Sequence, residues 1–181
     1  EIGLKGIIDL IEQKAVYYEG QFGEEVRKDE IPEDYLDIAK EKREELIAQL
    51  AEVDEEIEEM YLMEEEINPE KIKEVIRTRT IDLSFCPVFM GSAYKNTGIQ
   101  SCCDGIIDYL PDPTEVTNIA LDRSNNEERV MLKTDQKLPF VGLAFKLEEN
   151  QYGQLTYVRV YQGLIKKGQY LTNTATNEKV K

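Results

Sequence analysis

The apolar positions near the start of the chain follow the spacing of short β-strands. Residues 3–27 contain the segments GIIDLI and KAVYYEG, which are rich in apolar, β-branched and aromatic residues. Gly20 and Gly23 follow the second segment, and glycine commonly marks a turn between strands. This part of the sequence therefore predicts short strands joined by turns.

The period changes to that of a helix after residue 30. Glu30, Ile31 and Pro32 form a helix start, because proline is tolerated in the first turn, where its missing N–H is not needed. Apolar residues then recur at alternating intervals of four and three residues, and glutamates fill many of the remaining positions. The pattern predicts one long amphipathic helix whose apolar seam consists of Leu46, Leu50, Val53, Ile57 and Met60.

Two further helices and a strand are predicted before residue 111. Asn68 and Pro69 form the start of a short amphipathic helix that ends near Thr80. The mostly apolar run SFCPVFM at 84–90 predicts a strand buried on both faces of a parallel sheet. A regular helical spacing follows, which predicts a core-facing helix with the apolar positions Ile99, Cys102, Cys103, Ile106, Ile107 and Leu110.

The remainder of the chain is rich in β-forming residues. Pro111 and Pro113 end the last predicted helix, and residues 114–138 are polar and weakly patterned, which predicts a linker with an exposed loop at RSNNEER. Three β-rich segments separated by glycine-containing turns follow. They predict an antiparallel sheet or barrel, of which residues 139–181 supply the first strands.

Acidic residues are concentrated in the first part of the chain. The 181 residues include 37 Asp and Glu against 22 Lys and Arg, a net charge of −15. Residues 1–75 hold 25 acidic and 9 basic side chains, a net of −16, whereas residues 76–181 have a net charge of +1. An acidic segment repels nucleic-acid phosphates, so DNA binding is not expected. It favours solubility, or association with a basic protein surface.

The composition argues against several kinds of site. No apolar run approaches the ~18 residues that span a bilayer, so no membrane segment is expected. Cys86, Cys102 and Cys103 have no CxxC spacing and no histidine to join them. We therefore expect no metal site and three reduced, partly buried thiols. The absence of histidine also removes the commonest general acid–base group.

The segment FMGSAYKNTGIQ joins the predicted buried strand to the helix after it. In one interpretation it is a plain strand-to-helix turn in which Thr97 or Asn96 caps the helix. In the other, the small pair Ser92–Ala93 allows a backbone N–H to approach the carbonyl oxygen of a guanine base, with Lys95 along the base plane. The three letters Gly-Ser-Ala alone favour the first interpretation.

The sequence as a whole resembles the elongation factor G family, the GTPases of ribosomal translocation. The most specific stretch is PVFMGSAYKNTGIQSCCDGIIDYLPDPTEV, which is similar to the final strand, guanine loop and last helix of the family's G domain. PFVGLAFKLEENQYGQLTYVRVYQGLIKKGQYLTNT is similar to the opening of its second domain. GLAFKLE and GQLTYVRVYQG look more like the mitochondrial branch. The resemblance therefore implies translation in the mitochondrial matrix, with a bacterial or other organellar compartment as the alternative.

The resemblance implies a mixed α+β and α/β fold. This fold is the C-terminal remnant of a P-loop GTPase domain with an inserted acidic α/β subdomain, followed by an incomplete antiparallel β-barrel. The chain is then an internal fragment of a longer elongation factor. The implied boundaries are the acidic insertion at 1–80, the last strand, guanine loop and last helix of the G domain at 81–113, a linker at 114–138, and the start of the β-barrel at 139–181.

By resemblance, Ser92, Ala93 and Lys95 belong to the family's guanine loop. The amide of Ala93 would meet the guanine oxygen, Ser92 would order the loop, and Lys95 would flank the base. The family's phosphate loop, switches and Asn-Lys-x-Asp motif lie upstream of the insertion, and no GxxxxGK[ST] occurs in these 181 residues. Phosphoryl transfer needs phosphate cradling and Mg²⁺. We therefore expect the parent protein to bind GTP or GDP, and this chain alone to bind no nucleotide and to supply no catalytic residue.

The resemblance also implies contacts with the ribosome. The family's acidic insertion meets the basic C-terminal domain of the large-subunit stalk protein, and opposite charge accelerates such an encounter. The second domain faces small-subunit ribosomal RNA, where Lys146, Arg159, Lys166 and Lys167 would contact phosphates. The expected stalk-binding residues are the glutamates Glu44, Glu45, Glu52, Glu55, Glu56 and Glu59.

Two other functions fit parts of the sequence. The charge asymmetry alone permits a free-standing acidic protein-binding module without nucleotide function, although the unclosed β pattern after residue 140 argues against it. An enzyme of unrelated chemistry would need a carboxylate in an apolar pocket, and no Asp or Glu has that sequence context. Each glutamate or lysine named above also has the ordinary alternative of a solvated surface residue.

Overall fold

The computed structural model of the protein describes residues 3–151 and 153–181. It contains two compact units, Glu1–Leu110 and Pro111–Lys181. No helix in the described part of the chain combines the length and the apolar character needed to cross a bilayer.

An antiparallel sheet of three strands begins the first unit. β1 spans Ile7–Asp9, β2 spans Lys14–Glu19 and β3 spans Glu25–Asp29, with β2 in the centre. Ala15 and Val16 are the buried residues of the central strand. The prediction of short strands joined by turns is confirmed in this region.

Two helices, α1 (Glu33–Ala51) and α2 (Glu55–Leu62), stand where the apolar spacing predicts a single long helix, so that prediction is wrong. The break lies at Asp54, whose backbone is extended and whose carboxylate accepts a hydrogen bond from the backbone N–H of Ile57 at 3.1 Å. An aspartate cap starts a new helix because its side chain satisfies a donor that the first turn leaves unpaired. The apolar seam continues across the break, since Leu50 and Ile57 are both fully buried.

The predicted helix starts are confirmed. α1 begins directly after Pro32, and α3 spans Pro69–Ile81 with Asn68 as its N-cap. The side-chain oxygen of Asn68 accepts a hydrogen bond from the backbone N–H of Lys71 at 2.8 Å. Proline fits the first helical position because no N–H is needed there.

One apolar core holds α1, α2 and α3 together. At its edge, the Arg43 guanidinium donates to the backbone oxygens of Leu10 at 2.7 Å, Ile11 at 2.6 Å and Ile67 at 3.1 Å. Burial lowers the pKa of Arg43. These bonds tie α1 to the β1–β2 turn and to the segment before α3. The buried members of the core are Leu50, Ile57, Ile67, Ile72, Val75, Ile76 and Tyr109.

Residues 85–91 form an irregular segment, so the prediction of a buried strand at 84–90 is wrong. Val88 is 84% exposed and Met90 is 69% exposed. An inner strand needs a hydrogen-bonded neighbour on each edge. The described strands of this unit pair only with one another, which leaves none alongside this segment.

The last helix of the first unit, α4, spans Ile99–Tyr109 and confirms the helix predicted after the loop. Its predicted core-facing stripe is wrong in part, because Ile106 is 52% and Ile107 is 75% exposed. Gly105 and Tyr109 are the buried residues instead. The 3.6-residue period identifies an apolar face but does not say which element covers it.

The three cysteines are free thiols. Cys102 is half-buried, as expected, whereas Cys86 and Cys103 are exposed, since they lie on the irregular segment and on the uncovered side of α4. No group of acidic residues and cysteines among the described residues has an arrangement that could hold a metal ion.

The second unit consists of antiparallel hairpins, which confirms the antiparallel pairing predicted for the β-rich part. Among residues 111–151 and 153–181 these hairpins are separate two-stranded sheets and not a closed barrel. The first hairpin lies inside 114–138, the segment predicted to be a linker, and the letters RSNN form its turn. The pairs are β4 (Asn118–Asp122) with β5 (Glu128–Leu132), β6 (Val141–Asn150) with β7 (Gly153–Gln162), and β8 (Leu171–Thr172) with β9 (Lys179–Val180).

Candidate functional site

Residues 91–98, called the 91–98 loop below, form a closed loop between the irregular segment and α4. Ser92 and Thr97 close it by an antiparallel bridge: the N–H of Ser92 donates to the oxygen of Thr97 at 2.8 Å, and the reverse bond is 3.1 Å. Inside, the N–H of Lys95 donates to the oxygen of Ser92, and that of Asn96 to the oxygen of Ala93, each at 3.2 Å. The loop is therefore shaped by its own backbone.

The exposed tip of the loop contains an unpaired backbone donor. Within residues 3–151 and 153–181, the amide N–H of Ala93 meets no hydrogen-bond acceptor. Ala93 is exposed, and Tyr94 beside it is fully exposed. A small side chain next to an unpaired N–H lets a planar ligand edge approach the backbone closely. Ser92, Ala93 and Lys95, predicted from the sequence as site residues, thus share one turn, in which Ala93 and Lys95 are exposed and Ser92 is half-buried.

Glycines at both ends allow the loop to close tightly. A Cβ on Gly91 would lie 2.5 Å from the backbone oxygen of Thr97. Gly98 has a φ of +79°, and a Cβ there would lie 2.5 Å from the backbone oxygen of Met90. Both positions therefore exclude a side chain, and Gly98 also needs the left-handed backbone region that glycine adopts without strain.

The expectation that Thr97 or Asn96 caps α4 is wrong. The N-cap is Gly98, and no side chain caps this helix. Thr97 is buried and occupied in the bridge, while the side-chain amide of Asn96 donates to the backbone oxygen of Phe22 at 2.9 Å. The polar residue that was expected to cap the helix instead fastens the loop to the turn between β2 and β3.

The β2–β3 turn, residues 20–24, and strand β2 also form hydrogen bonds with the first residues of α4. The side-chain nitrogen of Gln100 donates to the backbone oxygen of Gly23 at 2.8 Å. Tyr18 on β2 shares a hydrogen bond of 2.6 Å with the hydroxyl of Ser101. Sequence analysis missed these contacts, because they join residues more than 70 positions apart and the glycines of the turn gave only a turn signal.

The six glutamates expected to bind a partner lie on α1, on α2 and at the junction between them, and all six are exposed. Glu45 pairs with Lys42 at 2.6 Å and Glu56 with Lys71 at 2.6 Å. These hydrogen bonds raise the pKa of both lysines. Within the described residues the remaining four have no ionic partner, and these are Glu44, Glu52, Glu55 and Glu59.

The charges on these helices are not arranged for helix stability alone. Acidic residues in the first turn of α2 fit the positive end of the helix dipole. At the other end, neither α1 nor α2 has a basic residue in its last turn, and Glu52 is the C-cap of α1. A negative charge at a helix C-terminus costs roughly 0.3–1 kcal/mol. Glu52 therefore carries a small local stability cost.

The basic residues predicted in the second unit have different surroundings. Lys146 pairs with Glu148 at 2.5 Å, and Arg159 lies over the ring of Tyr161, 5.1 Å from its centre. Lys166 and Lys167 lie in the turn before β8, on the wall of an open groove. The two lysines have no ionic partner among the described residues, which leaves their charges available.

Comparison with known proteins identifies the family. No protein-family model matches the sequence. Elongation factor G 1 of Borreliella burgdorferi (strain ATCC 35210 / DSM 4680 / CIP 102532 / B31) is 51% identical over 176 residues, which are 97% of this chain and 25% of that protein. Elongation factor G 1 of Borreliella afzelii (strain PKo) gives the same identity and the same coverage.

A solved structure is also similar to this chain. A crystal structure of a protein from Thermus thermophilus superposes with a TM-score of 0.63 at 26% identity, covering 94% of this chain and 23% of that one. The chain spans about a quarter of the length of the relatives that it matches. The mitochondrial branch suggested by two phrases of the sequence stays a prediction. With 51% identity over nearly all of its residues, this chain belongs to the elongation factor G family.

Proposed function

We propose that these residues supply part of the guanine pocket and a ribosome-contacting surface to an elongation factor that catalyses GTP-dependent ribosomal translocation. The observation that supports the guanine-pocket assignment is the 91–98 loop. Its own backbone closes it, and the N–H of Ala93 has no partner among the described residues. The similarity to proteins named elongation factor G supports the same assignment. GTP or GDP would bind to the longer protein.

The geometry fits recognition of a guanine base. The N–H of Ala93 would donate to the 6-oxygen of guanine, whereas adenine carries an amino group at that position and would oppose one donor with another. Ser92 keeps this donor in place through both bonds of the Ser92–Thr97 bridge. Lys95 is exposed beside the tip, and its aliphatic stem would lie along the base.

Base contacts alone do not hold a nucleotide. A hydrogen bond of this kind contributes about 0.5–1.5 kcal/mol net, whereas even millimolar binding requires about 4 kcal/mol. No GxxxxGK[ST] phosphate loop and no Asn-Lys-x-Asp motif occur in these 181 residues. The isolated chain is therefore predicted to bind GTP no more tightly than millimolar and to hydrolyse none.

The test is the variant Ala93→Pro in the full-length protein that carries this segment. Ala93 follows Ser92 in a turn closed by the bond from the N–H of Lys95 to the oxygen of Ser92, and Tyr94 has no positive φ. Proline is favoured at the second position of such a turn, so the change removes the N–H with little strain.

We expect Ala93→Pro to weaken GDP binding about tenfold or more, because the guanine oxygen loses its donor. Ala93→Ser keeps the N–H and serves as the matched control, with an affinity close to that of the unchanged protein. Both affinities are measured by displacement of a fluorescent GDP. Equal GDP affinity for the two variants would reject the assignment of this loop to the base.

The ribosome-contacting surface is assigned to the acidic helices and to the groove lysines. Four exposed glutamates, which have no ionic partner in the part of the chain that the structure describes, give α1 and α2 a charge that attracts a basic protein domain, such as that of the large-subunit stalk protein. Lys166 and Lys167 in the second unit would contact phosphates of small-subunit ribosomal RNA. Attraction of both kinds weakens with added salt, which makes ionic strength the natural variable for testing them.

A further inference from the structure

Two polar side chains converge on one backbone carbonyl of the β2–β3 turn. Gln100 Nε2 donates to the oxygen of Gly23 at 2.8 Å, and Asn96 Nδ2 lies 3.4 Å from the same oxygen and 2.9 Å from the oxygen of Phe22. Asn96 lies at the base of the 91–98 loop and has a φ of +50°. Non-glycine residues adopt this region infrequently, although asparagine does so more readily than most, and contacts that restrain the residue favour it. The bonds to the turn supply that restraint.

The backbones of the turn and the loop are themselves in contact. Gly23 has a φ of +68°, and a Cβ added there would lie 2.7 Å from the oxygen of Asn96 and 3.0 Å from the oxygen of Lys95. These atoms belong to backbone, which cannot swing aside as a side chain does. Any side chain at this position therefore displaces the loop as well as straining the turn.

The Gln100 contact is not explained by stability alone. Its amide oxygen, Oε1, is buried and finds no hydrogen-bond partner among the described residues. A buried acceptor without a partner is destabilising, and an apolar side chain of the same length would avoid that penalty. The contact that only the glutamine makes is the hydrogen bond from its side-chain N–H to the oxygen of Gly23.

We propose that the β2–β3 turn, through the Gly23 carbonyl, positions the 91–98 loop for the guanine base, with Gln100 and Asn96 as positioning residues. This inference rests on the proposed function of the loop. It assigns part of the base affinity to a turn that lies about 70 residues earlier in the sequence. The turn acts by fixing where the Ala93 N–H points.

The first test compares Gly23→Ala with Gly20→Ala in the full-length protein. Both glycines belong to the same turn and both have positive φ, +68° and +87°, so each substitution strains the backbone in a similar way. The atoms nearest to a Cβ at Gly20 would be those of the flexible Glu24 carboxylate, whereas the atoms nearest to one at Gly23 would be loop backbone. Comparing the two variants therefore distinguishes the effect of backbone strain in the turn from the effect of displacing the 91–98 loop.

We expect Gly23→Ala to weaken GDP binding by about tenfold and Gly20→Ala by no more than about twofold, with the lower melting temperature for Gly23→Ala because its Cβ meets backbone atoms. The readout specific to positioning is the ratio of affinities for GDP and for the diphosphate of 2-aminopurine riboside, which lacks the 6-oxygen. Gly23→Ala should lower that ratio towards one. Equal ratios for both glycine variants would overturn the proposal.

The second variant, Gln100→Met, covers the case in which Gly23→Ala does not fold. Methionine preserves the length of the side chain and removes both the donor to Gly23 and the unpaired oxygen. We expect no loss of melting temperature together with a lower ratio of GDP to 2-aminopurine nucleotide affinity. A purely structural role would give the reverse, a lower melting temperature and an unchanged ratio.

Ala93→Pro distinguishes failure of this inference from failure of the proposed function. If Ala93→Pro leaves GDP binding unchanged, the loop does not contact the base, and both the proposed function and this inference are wrong. If Ala93→Pro weakens GDP binding while Gln100→Met binds like the unchanged protein, the base contact stands and positioning by the turn is wrong. Weakening by both variants supports both statements.

Discussion

Replacing Asp54 by alanine tests the residue that divides the acidic helical region into two helices. Its carboxylate accepts one hydrogen bond from the N–H of Ile57 at 3.1 Å and two from the Arg79 guanidinium, at 3.2 and 3.0 Å. The Asp54 side chain is only 11% exposed, so water does not replace these partners readily. Loss of an N-cap costs about 1 kcal/mol. Loss of the charged pair adds roughly 1–2 kcal/mol, because Arg79 is more exposed and keeps its second partner, Asp82.

We therefore expect Asp54→Ala to lower the free energy of unfolding by about 2–3 kcal/mol. Asp54→Asn is the matched control: asparagine caps a helix as well as aspartate does but removes one of the two charge partners of Arg79, so it should lose only the roughly 1–2 kcal/mol of the charged pair. Urea unfolding followed by far-ultraviolet circular dichroism measures both. Equal losses for the two variants would refute a separate contribution of the cap, and no loss for either would refute the role of Asp54 in the break.

The same carboxylate predicts a pH dependence. Burial acts to raise the pKa of Asp54, but the Ile57 N–H and Arg79 outweigh it, and the net result is a pKa below the ordinary value of 3.8. A group whose pKa is depressed by folding stabilises the protein above its unfolded pKa, and that stabilisation is lost as the pH falls through the folded pKa. The difference in stability between the unchanged protein and Asp54→Asn should therefore be constant above about pH 5 and shrink below about pH 4. A difference independent of pH down to pH 2 would contradict this assignment.

The remaining predictions concern packing and charge. Gly105→Ala should destabilise the protein by about 1 kcal/mol or more, because a Cβ there would lie 2.2 Å from the ring of Phe89. This clash should outweigh the higher helix propensity of alanine. A raised melting temperature would contradict this prediction. Lys166→Ala combined with Lys167→Ala should reduce the salt slope of ribosome binding by about 2, and an unchanged slope would reject phosphate contacts. Replacing the four unpaired glutamates by glutamine should weaken binding of the stalk protein about tenfold at low salt and little at high salt. Glu33→Gln, the control, should have a small effect. Equal weakening at both ionic strengths would remove the electrostatic explanation. Those four are Glu44, Glu52, Glu55 and Glu59.

Local signals in the sequence predict local structure well in this protein. Asn68 followed by proline indicates a helix start, and the structure has that cap with the expected hydrogen bond. The alternation of β-branched and polar residues with glycine turns indicates antiparallel hairpins, and the hairpins are present. Asp54 misled the prediction because an aspartate inside a regular apolar period resembles an exposed helical residue, and only its extended backbone reveals a cap.

Signals that depend on distant partners are weaker guides. The apolar run at 84–90 and the apolar stripe of α4 indicate burial, but burial requires another element, and among the described residues none covers Val88 or Ile107. For the site, the letters Gly-Ser-Ala mark the loop, and the small residues at its tip follow from them. The fastening of the loop to Gly23 is invisible in the sequence, since it depends on two backbones that meet only in the fold.

The most direct test of the central claim is a crystal structure of the full-length protein bound to GDP. The 91–98 loop, closed by the Ser92–Thr97 bridge, is predicted to place the amide nitrogen of Ala93 about 3 Å from the 6-oxygen of guanine. The Gly23 oxygen should still accept the hydrogen bond from Gln100 in that structure. A base bound elsewhere, or a guanine oxygen that receives no hydrogen bond from this loop, would contradict the account.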